Sequence, residues 1–210
     1  MKPALAVLVL AATTAHADTD WAAGLVTATG IGIADRHAPS PAAAREPARH
    51  AAEDAARKQL AAKLPAIPLA GGGKVGDKLA DAQVKARIDR AVAAAIVVDA
   101  VPDTDGSYKV TMAVPLEAIR QALAGGPRAL ANDADTAPPM VIVDGVPAGA
   151  KPALGWTVDA LAAPTLWVKT VPAWAKDAPH VKATSASGGA IKTAGGTGAS
   201  EATLFVIAGR

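Results

Sequence analysis

Hydrophobic and polar positions change their spacing several times along the chain, and each change marks an element. From Gly24 to Ala34, GLVTATGIGIA, small and β-branched residues alternate, which predicts a strand, and Gly30 and Gly32 mark either a bulge or a close backbone approach. After a Pro-bearing loop, His37 to Pro41, the spacing lengthens: Ala48, Ala52, Ala55, Ala56, Leu60 and Leu64 recur at helical intervals. Ser40 suits an N-cap with Pro41 at the first helical position, and Pro47 either kinks the first turns or marks the true start. Glu53 with Arg57 and Asp54 with Lys58 form i,i+4 pairs in the favourable order, each adding about 0.3 kcal/mol on a solvated face. A face made of Ala implies close packing, most naturally against a sheet.

Pro65, Pro68 and Gly71 to Gly73 stop that helix. A shorter one is predicted over Leu79 to Val92, with Val84, Ile88 and Val92 on one face and Lys85, Arg87 and Arg90 outside. In Ala93 to Val101 the run Ile96, Val97, Val98 predicts a buried strand. Asp103-Thr104-Asp105-Gly106 then reads as a turn with Gly106 at positive φ, and the chain returns as Tyr108 to Val114 with Val110, Met112 and Val114 on one face: a β-hairpin. Pro115 opens a short helix through Leu123, closed by Gly125-Gly126-Pro127.

Residues 128–139, RALANDADTAPP, lack periodicity and read as a linker or covering loop. The texture then changes. Apolar runs at Met140 to Val143, Thr165 to Val171 and Thr203 to Ile207 are separated by Gly, Pro and Ser clusters, a β-rich pattern, and Ser185 to Ser200 is a low-complexity tract suited to a mobile loop or a hairpin connection. Trp156, Trp167 and Trp174 all lie in this half. The expected class is α+β: a small antiparallel sheet on a long Ala-rich helix in residues 18–127, the 128–139 linker, and a β-rich region in 140–210.

The amino terminus bears on location. Met1 and Lys2, an apolar run from Pro3 to Ala12, and Ala15-His16-Ala17 form the pattern of a secretory signal peptide over residues 1–17, too short in its apolar part for a membrane span of about 20 residues. Cleavage after Ala17 leaves a nearly neutral chain, periplasmic or secreted. With 21 basic and 19 acidic residues overall, there is no electrostatic footprint for nucleic acid or an anionic membrane, and no second stretch of spanning length follows. The chain has no Cys, which excludes disulfides, thiol catalysis, Cys-based zinc sites and a lipidated terminal Cys. Although 51% of residues are hydrophobic, many are Ala, so core volume has to come from Val, Ile, Leu and the four Trp.

Motifs with chemistry mostly fail on inspection. Gly30-Ile31-Gly32 lacks the third Gly of a dinucleotide fingerprint, and Gly71-Gly72-Gly73-Lys74 lacks the spacing and hydroxyl residue of a phosphate loop. Asp103-Thr104-Asp105-Gly106 starts like a calcium loop without its later ligands. His37, His50 and His180 are far apart, no Gly-x-Ser-x-Gly elbow occurs, and Glu53 and Asp54 have basic partners. No catalytic, metal or cofactor residue is assigned. One candidate interaction surface remains, Trp156, Trp167 and Trp174, since exposed aromatics stack on sugars or partners; core packing is the competing reading, because Trp167 and Trp174, seven apart, point to opposite faces of a strand and Pro172 interrupts it.

The succession of a Gly-bearing ATGIG strand, AAAREPARHAAEDAARKQLAAKL, and the hairpin ending DGSYKVTMAVPL at Asp105 to Leu116 resembles the LPP-twenty-like family of bacterial envelope proteins, relatives of flagellar P-type and T-type outer-membrane-associated proteins. Val141 to Asp144 and Lys151 to Leu154 extend the resemblance weakly, and the lipidated Cys of many members is missing. The resemblance implies a small antiparallel sheet against a long helix, an envelope location, and self-association or association with cell-surface or flagellar structures, with no active-site residues. The expected function is therefore an exported, non-enzymatic envelope protein with a structural or interaction role, its partners being envelope proteins or further copies of itself. A small-molecule or glycan-binding module in the Trp-rich half is the alternative, and a hydrolase with an unfamiliar site a weaker third.

Overall fold

The computed structural model describes residues 19–126 and 138–209; the signal-peptide reading of residues 1–17 and most of the 128–139 linker lie outside the described residues. The protein is α+β, with two sheets and three α-helices among the described residues. The first sheet comprises β1 (Thr19–Asp20), β2 (Leu25–Gly32), β3 (Ile96–Pro102) and β4 (Tyr108–Pro115), all antiparallel in the order β1-β2-β4-β3.

Across one face of this sheet lies α1 (Pro41–Lys63). Ser40 caps it, its side chain accepting a hydrogen bond from the Ala43 N–H, and Pro41 occupies the first turn. Pro47 lies inside the helix and does not mark its start. The residues turned to the sheet are Ala44, Ala48, Ala52, Ala56 and Leu60, one every four positions. Such small side chains let the two backbones meet. At Gly30 and Gly32 a β-carbon would overlap the carbonyl oxygens of Ala52 and Ala48, so these glycines mark a close approach, and the β2–β4 register runs on without a bulge. On the solvent side of α1, Arg57 pairs with both Glu53 at 3.3 Å and Asp54 at 3.1 Å; the expected Asp54–Lys58 pair gives way to this shared arginine.

The second helix is shorter than its sequence suggests. Val75–Lys78 forms a 3-10 turn, and α2 (Ala82–Ala93) begins only after Asp81, whose carboxylate accepts from the N–H groups of Gln83 and Val84. Val84, Ile88 and Val92 are buried as expected, but Arg87 is half-buried and donates from Nε to the Ala122 carbonyl at 2.6 Å, tying α2 to α3 (Leu116–Leu123). Leu116, Ile119 and Ala122 of α3 join Leu60, Leu64, Val110, Met112 and Val114 in one core.

The β3–β4 hairpin forms as expected, with Gly106 at φ 91° and the Asp103 N–H donating to the Ser107 carbonyl. The expected burial of β3 is overturned. All seven of its residues are exposed, Ile96, Val97, Val98 and Val101 by 46 to 51%. The cause is the placement of α1, which lies over β2 and β4, while β3 is the last strand of the sheet and pairs only with β4.

The second sheet is ordered β6-β9-β8-β5-β10-β7, from β5 (Met140–Asp144), β6 (Thr157–Val158), β7 (Thr165–Val168), β8 (His180–Ser187), β9 (Ala190–Thr193) and β10 (Leu204–Ala208). Its pairings are parallel except for β8 with β9, a hairpin turned by Gly188 and Gly189, both at positive φ. The low-complexity tract thus contributes a hairpin and β9. Both faces are covered at the centre: Val141, Val143, Phe205 and Ile207 pack with Trp156, Val158 and Ile191 on one side, and Ile142 and Val206 with Val168 and Ala175 on the other. That explains the unbroken apolar runs of β5 and β10, since strands buried on both faces do not alternate.

The two sheets are stitched together. Trp21 packs against both cores, and its carbonyl accepts the Trp167 N–H at 3.0 Å. Leu154 exchanges backbone hydrogen bonds with the chain on either side of Leu69: its N–H goes to Pro68 O and its carbonyl accepts Ala70 N–H, both at 2.9 Å. No helix among the described residues is long and apolar enough to cross a membrane.

Candidate tryptophan groove

The three tryptophans singled out in the sequence take different places. Trp156 is buried, its ring tilted 56° against Trp167 at a centroid distance of 5.7 Å, and its Nε1 donates to the Lys151 carbonyl at 3.1 Å. Trp167 is also buried, yet it borders the surface. Trp174 follows the β7 strand in a 3-10 turn, Ala173–Ala175, and is 59% exposed. Trp167 and Trp174 do come together, because Pro172 redirects the chain after β7 so that the strand geometry separating them no longer applies.

They share a groove of about 900 Å³ with a third ring that sequence reading missed, Trp21. Trp21 sits in the turn between β1 and β2, a turn held by Asp20 Oδ1, which accepts from the N–H groups of Ala22 and Ala23. The remaining wall is the loop after β5, with Pro147 and Pro152, and Pro172 stands beside Trp174. The charged side chains at the groove are Asp20 and Lys169. Trp21 has no periodic neighbours in the sequence, and long-range contacts, its packing against both cores and the pairing of its backbone with Trp167, bring it here, so no local signal could have placed it.

The groove is lined mainly by aromatic, proline and small apolar side chains. It contains no His, Cys, Ser or Glu, and its carboxylate already caps the Asp20 turn. Elsewhere the candidate motifs are engaged in structure. In the Gly71-Gly72-Gly73-Lys74 loop the Asp77 carboxylate accepts the Lys74 N–H at 2.7 Å, putting negative charge where a phosphate would have to bind. Asp103 and Asp105 accept from Thr104 and Ser107 within their own turn. His50 meets Glu46 at 2.9 Å on α1, and His180 Nδ1 meets Asp144 Oδ2 at 2.6 Å at the end of β5. Among the described residues no three His, Cys, Asp or Glu side chains converge.

A smaller cavity of about 290 Å³ lies beside α3 at Glu117, Arg120 and Gln121. Arg120 grips both oxygens of Glu117 at 2.6 and 2.7 Å, and Gln121 donates to the same carboxylate at 2.8 Å, so Glu117 is a fully engaged acceptor. Among the described residues, the tryptophan groove and the β3 strand both present exposed apolar side chains. No protein-family model and no curated protein matches this chain.

Proposed function

We propose that this is an exported, non-enzymatic protein of the bacterial cell envelope that works by association, as its resemblance to the LPP-twenty-like proteins implies. The observation that carries the reading is β3. A seven-residue apolar strand with both faces and one edge open presents unpaired backbone groups to any second strand, and its interior has one charge, Asp99, and one irregularity, between Val97 and Asp99. Edge strands that stay unpaired are ordinarily short, twisted or guarded by Lys or Pro, and β3 is guarded only at its end by Pro102.

The occupant that fits best is a second copy of the chain. An antiparallel pair of β3 strands about a twofold axis centred on Val98 sets each Asp99 opposite a Val97 and keeps the two carboxylates from facing one another. The exposed Ile31 and Ile33 at the end of β2 widen the apolar rim, Ile31 lying in one cross-strand row with Lys109 and Val101. Such a pair gains backbone hydrogen bonds along the edge and cross-strand contacts among the exposed Val97, Val98 and Val101 side chains, each such pair worth about 0.2–1 kcal/mol, which fits a reversible contact.

Sedimentation of the purified protein tests this. Concentration-dependent dimers or larger species are expected, shifted to monomer by Val98→Lys with no change in the far-ultraviolet circular dichroism, because Val98 is exposed in the monomer. A protein that sediments as a monomer throughout and crosslinks to no envelope partner would sink the reading.

A further inference from the structure

We propose that Lys63 stops self-association at a pair by closing the second edge of the first sheet, an inference that rests on the β3 contact proposed above. That sheet ends in β3 on one side. On the other, β1 covers only Leu25 and Val26, and among the described residues no strand lies against the rest of β2. With a leader cleaved after Ala17, one residue precedes β1, too few to reach Thr29 or Ile31. The Gly24 carbonyl accepts the Leu116 N–H, so in the β2–β4 register the even-numbered residues of β2 bond to β4, and Thr27, Thr29 and Ile31 turn their backbone groups to the free side. β2 has no charge and no proline of its own to guard that side. The guard comes from 36 positions along the chain: Lys63, the last residue of α1, is half-buried and its Nζ donates to the Thr27 carbonyl at 2.8 Å. Its ammonium stands where an incoming strand would place an N–H.

The strand it excludes is β3 of another copy. Two β2 edges cannot pair, because Gly30 and Gly32 hold the α1 backbone directly over β2, and at a strand spacing of ~4.8 Å the two α1 helices would stand closer than the ~8–10 Å between packed helix axes. β3 carries no helix, and all seven of its residues are exposed. A β3-to-β2 contact is head-to-tail: each added copy brings a new free edge, and the array does not close. The twofold β3 pair uses both β3 edges and closes. To form the open array, the incoming strand has to strip the Lys63 ammonium from Thr27 and leave it beside the new backbone ladder, a desolvation cost that the twofold pair does not meet.

Sedimentation velocity over a wide range of concentration tests the inference. The parent should reach the dimer and go no further. Lys63→Met, which keeps the length and apolar bulk of the side chain, and Lys63→Ala, which removes both, should each form species beyond the dimer that grow with concentration, at unchanged circular dichroism. Lys63→Arg, which keeps a donor and a charge, should stop at the dimer like the parent. Adding Val98→Lys to Lys63→Met should return it to monomer, since both contacts need β3. Larger species that survive Val98→Lys overturn the inference. Lys63→Met and Lys63→Ala proteins that stop at the dimer, or a parent that itself grows beyond it, overturn the role of Lys63 and leave the β3 contact standing. Parent and variants that are all monomeric at every concentration overturn the β3 contact itself, and this inference with it.

Discussion

Gly32 of β2 lies directly beneath Ala48 of α1, so close that a β-carbon on the glycine would overlap the carbonyl oxygen of the alanine. The obstacle is backbone, and no rotamer change can relieve it. Gly32→Ala must lift α1 off the sheet and loosen the contacts of Ala44, Ala48 and Ala52 together. We expect a loss of about 3 kcal/mol or more, at the upper end of overpacking effects, measured as a lower urea midpoint. Gly149→Ala, where the added atom meets nothing within 4 Å and φ is not in the left-handed region, should stay within about 0.5 kcal/mol of the parent.

That contact also shows how far local pattern carries. Alternation in GLVTATGIGIA, the four-residue Ala stripe and the DTDG turn are all short-range signals, and β2, α1 and the β3–β4 hairpin follow them because one layer of neighbours decides each. The burial of β3 was not legible for the opposite reason: an Ile-Val-Val run encodes a strand, but whether a helix lies above it depends on where α1 comes to rest. The parallel order of the second sheet, with β10 between β5 and β7, joins strands far apart in the chain and leaves no periodic trace. Of the groove, Trp167 and Trp174 are visible as candidates, and Trp21 is not, because its place there depends on long-range contacts, packing against both cores and a backbone hydrogen bond from Trp167, that leave no local pattern.

Asp105, at the tip of the β3–β4 turn, should make the hairpin acid-sensitive. Hydrogen bonds from the Ser107 backbone N–H and hydroxyl hold its carboxyl below the usual aspartate range. A group whose pKa is lower folded than unfolded favours the folded state above its unfolded value of about 3.9 and loses that contribution as pH falls through the folded value. The expected result is a stability difference between the parent and Asp105→Asn that is constant near neutrality and shrinks at acid pH, followed by urea unfolding at several pH values. A difference that grows on acidification would show that the Ser107 contacts do not favour the ionised carboxylate.

Ala160 offers a gain in stability. It follows Asp159 in a two-residue turn after β6, and both have positive φ, 48° at Asp159 and 68° at Ala160. Asp159 is compensated there, since its carboxylate accepts from the Thr193 N–H at 2.8 Å and from the Thr193 hydroxyl. Ala160 is exposed and has no such bond. The left-handed conformation costs a residue with a β-carbon about 1–2 kcal/mol, and glycine gives back about 0.4–1 kcal/mol through the greater freedom of its unfolded chain. Ala160→Gly should therefore stabilise the protein by up to about 1 kcal/mol in thermal or urea unfolding. Asp159→Ala should go the other way, because it keeps the strained backbone and removes the bonds to Thr193.

The tryptophans should separate cleanly in unfolding and emission. Trp156 and Trp167 share a tilted contact at 5.7 Å inside the second core, with Val143, Phe205 and Ile207 around them. Removing the buried ring at Trp156 also strips the Lys151 carbonyl of its indole donor, so Trp156→Ala should cost about 3–5 kcal/mol. Trp174→Ala removes a ring that is mostly in solvent and should change stability by about 0.5 kcal/mol or less. In emission the order reverses: loss of Trp174 removes the most solvent-exposed, red-shifted component, while the remaining spectrum keeps a shielded maximum. A large stability loss at Trp174 with none at Trp156 would mean that the packing of the second sheet differs from that described, and with it the floor on which the groove is built.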